Sequence, residues 1–260
     1  MNRTAAAVLI TAAGLVAGCS SAQPIGELRT HADESFQREE YKRTVAFDTE
    51  ILRREPNDFN ATVQRGVAYD RLGDLSDAQT DFTRAVELKP DEATPRLFRA
   101  NLALKTKQPE MAIEDVKALQ GLELERPQQV AALCIAGTVS QQKGDWTGAV
   151  KSYRTAIELG KQQPDPATQK HTRDAMNNAS ECYYRMGNFD QASAVFAECI
   201  QAKSRAEEPV TEDDWYTMGV LHYLKGDFSS ARQDFAHVSP ARQKQAGKLL
   251  NDDGFFVAAK

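Results

Sequence analysis

One pattern of about 34 residues returns six times along this chain, and a period of that size constrains the fold more than any other feature. It appears first in clear form as Gly66, Tyr69, Ala78, Phe82, Ala85 and Pro90. Units in the same frame begin near Ile25, Phe59, Ala93, Val130, Arg173 and Glu212, with longer steps, and therefore insertions, between the later ones. A unit this short cannot bury its apolar face alone, so neighbouring units must stack into one continuous core. No alternating strand-like run competes with the helical spacing, which makes the expected fold all-α.

Within each unit the eighth position is small: Ala32, Gly66, Ala100, Gly137, Ser180 and Gly219. Alanine fills the twentieth position of every unit but the first, as Ala78, Ala112, Ala149, Ala192 and Ala231, with Thr44 in unit one. Two antiparallel helices can approach closely where such residues meet, and Gly66 is expected to face Ala78. Bulky residues at the twenty-fourth position (Phe82, Val116, Tyr153, Phe196, Phe235) are expected to pack between the two helices. Unit one has Asp48 there, and Phe47 is expected to take the place of the ring.

The turn inside the unit also has a mechanism. Gly73-Asp74, Gly144-Asp145, Gly187-Asn188 and Gly226-Asp227 share one place in the frame. Glycine can end the first helix in the left-handed conformation, and the next residue can cap the second. Unit three reads Lys107-Gln108-Pro109, so its boundary is expected to rest on proline in the first turn of the second helix. Thr211 with Asp214 forms a capping-box pattern at the start of unit six.

Together these positions resemble the tetratricopeptide repeat, and Trp215 sits where that family favours tryptophan. The resemblance covers residues 25–240 and implies a right-handed superhelical solenoid of about six helix-turn-helix repeats at 25–58, 59–92, 93–129, 130–172, 173–211 and 212–240. A C-terminal capping helix and tail would follow over 241–260. The proline-bearing segments 160–168 and 203–210 are expected as loops between units.

Before the repeats stand a basic start, an apolar run over residues 5–17, and Gly18-Cys19-Ser20-Ser21. This describes a secretory signal whose apolar run is too short for an ordinary membrane span. Val16-Ala17-Gly18-Cys19 resembles the bacterial lipobox, which implies a lipoprotein signal peptide over 1–18 and a lipidated tether over 19–24 with Cys19 as the acylated residue. Acyl chains contribute about 0.8 kcal/mol per buried methylene, enough for anchoring when more than one is present. Ser20 in place of aspartate implies, by the same resemblance, the outer membrane facing the periplasm. The alternative is an ordinary signal cut after Ala17 or Ala22.

With 37 acidic against 32 basic residues the formal net charge is −5, which argues against phosphate-backbone binding and nucleic-acid partners. Cys134, Cys182 and Cys199 are expected to be free apolar fillers, and no C-x-x-C metal spacing occurs. His31, His171, His222 and His237 form no metal-binding pair, and the nucleophile-elbow and phosphate-loop motifs are absent from the sequence. The reading is therefore a chain without a catalytic site, metal or cofactor.

Binding is the expected activity, because the family lines a concave groove with the first helix of each unit. Carried over position by position, the groove includes Asn60, Val63, Val67, Asp70, Arg71, Leu97, Asn101 and Lys105 in units two and three. Units four to six contribute Cys134, Thr138, Gln141, Asp174, Asn177, Glu181, Tyr184, Arg185, Asp213, Tyr216, Val220 and Tyr223. Tyrosine and carboxylate concentrate at Asn177, Glu181, Tyr184, Asp213, Tyr216 and Tyr223, a mixture suited to a peptide with apolar and basic side chains. The implied function is a membrane-anchored scaffold or adaptor of the bacterial cell envelope that binds proteins or peptides. The alternatives are an assembly factor for a pilus or secretion pore, and an enzyme or glycan binder.

Overall fold

The computed structural model describes residues 23–163 and 165–250; the signal at 1–18, Cys19 and residues 251–260 of the tail lie outside the described residues. Among the described residues there are thirteen α-helices and no strand. They run as six consecutive pairs: α1 (Ile25–Gln37) with α2 (Tyr41–Arg54), α3 (Phe59–Leu72) with α4 (Leu75–Leu88), and α5 (Ala93–Lys105) with α6 (Pro109–Leu119). Then come α7 (Arg126–Gln142) with α8 (Trp146–Gly160), α9 (Pro166–Arg185) with α10 (Phe189–Arg205), and α11 (Glu212–Leu224) with α12 (Phe228–Phe235). A last helix, α13 (Pro240–Leu250), packs against α11. Contacts run within each pair and between successive pairs, including first helix to first helix as in α5 with α7 and α7 with α9, which is the architecture of a solenoid.

The insertions mostly lengthen helices instead of forming loops. Helix α7 starts at Arg126, ahead of Val130, and α9 starts at Pro166, inside the segment expected as a loop. The reason is local: Pro166 and Pro127 sit in first turns, where a missing N–H costs nothing. Asp165 accepts a hydrogen bond from the Thr168 amide at 2.8 Å, and Glu125 with Gln128 closes a capping box. The capping box expected from Thr211 and Asp214 is present as well.

One turn geometry recurs in all six units. The fifteenth residue is left-handed whether or not it is glycine: Glu39 (φ 59°), Gly73 (87°), Lys107 (58°), Gly144 (77°), Gly187 (74°) and Gly226 (87°). The following amide then reaches back to a carbonyl in the preceding helix, as in Gln108 to Ala103 at 2.8 Å and Asp74 to Tyr69 at 2.9 Å. This satisfies a carbonyl that the helix end would leave unpaired. Unit three therefore keeps the common turn and is not resolved by proline alone: Pro109 opens α6, but Lys107 takes the left-handed conformation. Of the expected caps, Asp145 and Asp227 accept bonds from Gly148 and Ser230, whereas Asp74 and Asn188 make no side-chain cap.

The close approach within each pair is a contact between glycine and an aromatic ring. A Cβ on Gly66 would lie 2.8 Å from Phe82 and 3.2 Å from the Asp81 Cβ, so the nearest group to Gly66 is that ring, where Ala78 was expected. Gly137 faces Tyr153 at 2.5 Å and Gly219 faces Phe235 at 2.9 Å in the same way. Where the opposing residue is smaller, alanine suffices, as Ala100 opposite Val116 and Ala32 opposite Asp48 in the same frame. Ser180 is the exception; it accommodates Phe196 and donates to the Ala192 carbonyl at 2.8 Å. Ala78, Ala112, Ala149, Ala192 and Ala231 are completely buried, as the tight crossing requires.

Unit one departs from this scheme. Asp48 is fully buried, and neither carboxylate oxygen has a hydrogen-bond partner, while Phe47 only packs at the edge of the local core against His31. The expected replacement by Phe47 thus fails, because Asp48 itself keeps the inward-facing frame position. Burial raises its carboxyl to about 8, with Arg65 pulling it down and Asp33, Asp58 and Asp81 pushing it further up.

The first joints are tied by a repeated ion pair. Arg65 meets Asp81 through two hydrogen bonds of 2.8 Å and donates to Thr49 of the preceding unit. Arg99 meets Asp115 at 2.9 and 2.7 Å and approaches Thr83 of the preceding unit at 3.5 Å. Two-pronged pairing of this kind fixes orientation as well as distance.

Candidate binding groove

Helices α9 and α11 leave between them a cavity of about 310 Å³. Its wall comprises Asn177, Asn178, Ser180, Glu181 and Tyr184 from α9, Phe196 from α10, Tyr216, Thr217, Val220 and Leu221 from α11, and Leu249 from α13. A cavity of this size, mixed in polarity, matches the lower end of small binding pockets. Four of the six residues singled out from the sequence meet here: Asn177, Glu181, Tyr184 and Tyr216.

Asp213 and Tyr223 do not line it. Asp213 pairs with Arg242 of α13, whose guanidinium also lies 4.9 Å from the centre of the Tyr216 ring. Tyr223 lies in the last turn of α11, where its ring meets Phe228 of α12 edge-on at 5.2 Å. The capping helix thus claims part of the surface that the repeat frame alone assigns to a ligand.

The electrostatics also differ from the expected acidic groove. Glu181 accepts a hydrogen bond from Arg185 at 2.7 Å, Asp70 takes Lys105 at 2.8 Å, and Asp213 holds Arg242. These carboxylates already have cations of the same chain, so a basic ligand would have to displace them. Exposed pairs contribute only about 0–1 kcal/mol, so exchange is inexpensive but gains little. In unit four, Thr138 and Gln141 are bound to the buried Tyr153 hydroxyl at 3.0 and 2.9 Å, so they serve packing. Burial raises Tyr153 to about 12. What the cavity offers is aromatic and aliphatic surface beside the two asparagines of α9.

Among the described residues the three cysteines, Cys134, Cys182 and Cys199, are free. Burial pushes Cys134 up to about 12 and Cys182 and Cys199 up to about 11, which keeps them as thiols and poor nucleophiles. His31 contacts the Phe47 ring, His222 bonds Asp234 at 2.6 Å, and His237 stacks on Trp215 at 4.3 Å. Among the described residues no group of three His, Cys, Asp or Glu side chains is placed to hold a metal ion, and no helix is long and apolar enough to cross a membrane.

The frame missed Leu249 and Arg242 because α13 lies beyond the repeats, and it missed Asn178 and Thr217 because they lie next to, not on, the family's groove positions. A second, mainly apolar cleft of about 250 Å³ lies where α6 meets α7, lined by Val116, Leu119, Leu124, Ala132, Leu133 and Leu159 among others. The longer third step and the leucines of the segment 120–125 were its only sequence signal.

Family models described as tetratricopeptide repeat match residues 63–123 and 174–205. A tetratricopeptide repeat and J domain-containing co-chaperone of Fusarium oxysporum f. sp. lycopersici is 24% identical over 208 residues, 76% of this chain. The aligned region is only 38% of that relative's length. Among solved structures, the type IV pilus biogenesis factor PilW superposes with a TM-score of 0.68 at 20% identity, covering 92% of this chain and 100% of that one. MamA from Desulfovibrio magneticus gives 0.59 at 17% identity over 72% of this chain and 98% of that one. A tetratricopeptide repeat protein from Parabacteroides merdae gives 0.61 at 15% identity, with 84% and 79% covered. The recurring turn, the small residues at the helix crossing and these matches agree: residues 63–123 and 174–205 match tetratricopeptide repeats, within an all-helical solenoid.

Proposed function

We propose that this chain is a non-catalytic adaptor of the bacterial cell envelope, anchored through lipid on Cys19 at the outer membrane facing the periplasm. Its partner would be a protein or peptide that places an apolar side chain between α9 and α11. Tetratricopeptide-repeat proteins are in general interaction scaffolds that bind other proteins or peptides. The observation that carries the reading is the cavity bordered by Tyr184 and Tyr216, two large rings that give contact area at little entropic cost. The test is affinity capture of the full chain from native membranes, comparing wild type with Tyr184→Ala plus Tyr216→Ala. Loss of a co-purifying protein at wild-type levels of folded bait supports the groove; the same capture from both baits places the partner elsewhere. Cys19→Ser should abolish fatty-acid labelling, and unchanged labelling would remove the anchor.

A second reading, assembly of a pilus, is favoured by one observation, the superposition that spans all of the pilus biogenesis factor and 92% of this chain. Deleting the chain should then reduce surface pili, and normal piliation would eliminate this reading.

A further inference from the structure

The first two joints of the solenoid use the same parts, and one substitution sets them apart. In each, an arginine of the later unit holds a carboxylate of its own unit and a threonine of the unit before: Arg65 with Asp81 and Thr49, Arg99 with Asp115 and Thr83. The residue just before that threonine is the inward-facing one, the ring of Phe82 in the second joint but the carboxyl of Asp48 in the first. Asp48 is fully buried, and neither of its oxygens has a hydrogen-bond partner.

The groups around Asp48 decide when it carries charge. Those acting on it are Arg65 of α3, Asp58 just ahead of that helix, Asp33 of α1 and Asp81 of α4, and on α1 the His31 ring lies against the adjacent Phe47. Burial and the three acids push the Asp48 carboxyl up to about 8, against the pull of Arg65. The acids already have donors: Asp33 accepts from Gln64 at 2.9 Å, Asp58 from Arg29 at 2.7 Å and from the Ala61 amide at 2.9 Å, and Asp81 from Arg65. Arg65 commits Nε and Nη2 to Asp81 at 2.8 Å each and donates from Nη1 to Thr49 at 3.2 Å. The Thr49 bond is the longest of the three and its acceptor is uncharged, so Nη1 is the donor that a new anion takes most easily.

We propose that unit one is joined to unit two by a proton-operated link: protonated Asp48 leaves Arg65 Nη1 to Thr49, and Asp48 that has released its proton to solvent takes that donor for itself. Neighbouring residues of a helix project about 100° apart around its axis, so one donor cannot pass from Thr49 to Asp48 without a turn of α2 against α3. Unit one thereby changes its seating on unit two, and α1 its place at the end of the array. The second joint stays fixed over the same range, because Phe82 has no proton to lose.

The test is a nuclear magnetic resonance titration of the full chain, carrying carbon-labelled aspartate and arginine, across pH 8. The Asp48 carboxyl and the Arg65 Cζ resonances should move with one common midpoint, while Arg99 Cζ stays in place. Residual dipolar couplings of the Cα–Hα bonds in α1 and α2 should change relative to those in α3 and α4 over the same range. Thr49→Val removes the competing acceptor and should lower the midpoint by about 0.4–1 pH unit. Asp48→Asn keeps the shape of the protonated side chain and cannot ionise, so Arg65 and the couplings should then hold still. An Arg65 that does not follow Asp48, or that still titrates in Asp48→Asn, would overturn the proposal. So would an Arg99 that moves in parallel, a midpoint unaltered in Thr49→Val, or an orientation of unit one that ignores pH. None of these measurements involves the groove or a partner, so their failure leaves the adaptor reading standing.

Discussion

Gly137→Ala isolates the packing rule that holds each pair of helices together. The added Cβ would lie 2.5 Å from Tyr153 Cε1 and 2.8 Å from Cζ, against an ordinary carbon–carbon contact of about 3.5–4.0 Å. The ring must therefore move by about 1 Å. It cannot do so freely, because it is fully buried and its hydroxyl bonds Gln141 at 2.9 Å and Thr138 at 3.0 Å. Overpacking costs about 1–3 kcal/mol, and weakening those hydrogen bonds adds about 0.5–1.5 kcal/mol each. Alanine returns about 0.8–1.0 kcal/mol through helix propensity. The net expectation is a loss of about 2 kcal/mol or more, read by urea unfolding of the full chain. Gly66→Ala should cost less, since Phe82 has no hydroxyl to tether it. Adding Tyr153→Val to Gly137→Ala recreates the Ala100 and Val116 pairing of unit three, so the double variant should be more stable than the two single losses predict. Gly137→Ala melting at or above wild type, or strict additivity in the double variant, would refute the rule.

Lys107→Gly should stabilise the chain by up to about 1 kcal/mol, since a left-handed L-residue costs about 1–2 kcal/mol and glycine returns part of that in entropy; a fall in unfolding midpoint would contradict the turn assignment. Asp48 holds a proton in the folded chain that the unfolded chain releases, so it contributes stability at low pH that is lost as pH rises from about 4 to about 8. Asp48→Val should remove that slope and gain about 1–3 kcal/mol above pH 8, where the wild-type chain buries an unsatisfied charge; equal pH profiles for the two proteins would show that Asp48 is solvated. Arg65→Met leaves Asp81 nearly buried without its cation and should cost about 3 kcal/mol, whereas Arg53→Met, removing an exposed pair, should change the melting temperature little.

The sequence made the helix pairs readable because small and bulky residues recur at fixed places in one frame, and the structure keeps those places. Lys107 was opaque for the opposite reason: a lysine carries no signal for a left-handed backbone, and only the geometry of neighbouring units imposes it. Asp48 was opaque because a carboxylate at an inward position looks like a shift in register, with Phe47 adjacent to suggest one. Tyr184 and Tyr216 line the cavity from first-helix positions that the frame picks out, since position decides which face of a helix a side chain takes. Tyr223 and Asp213 lie off the cavity because their neighbours, Phe228 and Arg242, come from α12 and α13, whose contacts the frame does not describe.

The pairing of Gly66 with Phe82, Gly137 with Tyr153 and Ala100 with Val116 has a consequence for how such a chain can be recombined. Both members of each pair lie within one unit, on either side of its left-handed turn. A crossover placed between units carries the matched pair across intact. A crossover placed at the turn would join α5, with its alanine, to the Phe82 ring of α4, or α3, with its glycine, to the smaller Val116 of α6. One product is overfilled and the other hollow. Shuffled libraries of this chain should thus recover folded members when cut after α2, α4 or α6, and lose them when cut at Gly73 or Lys107.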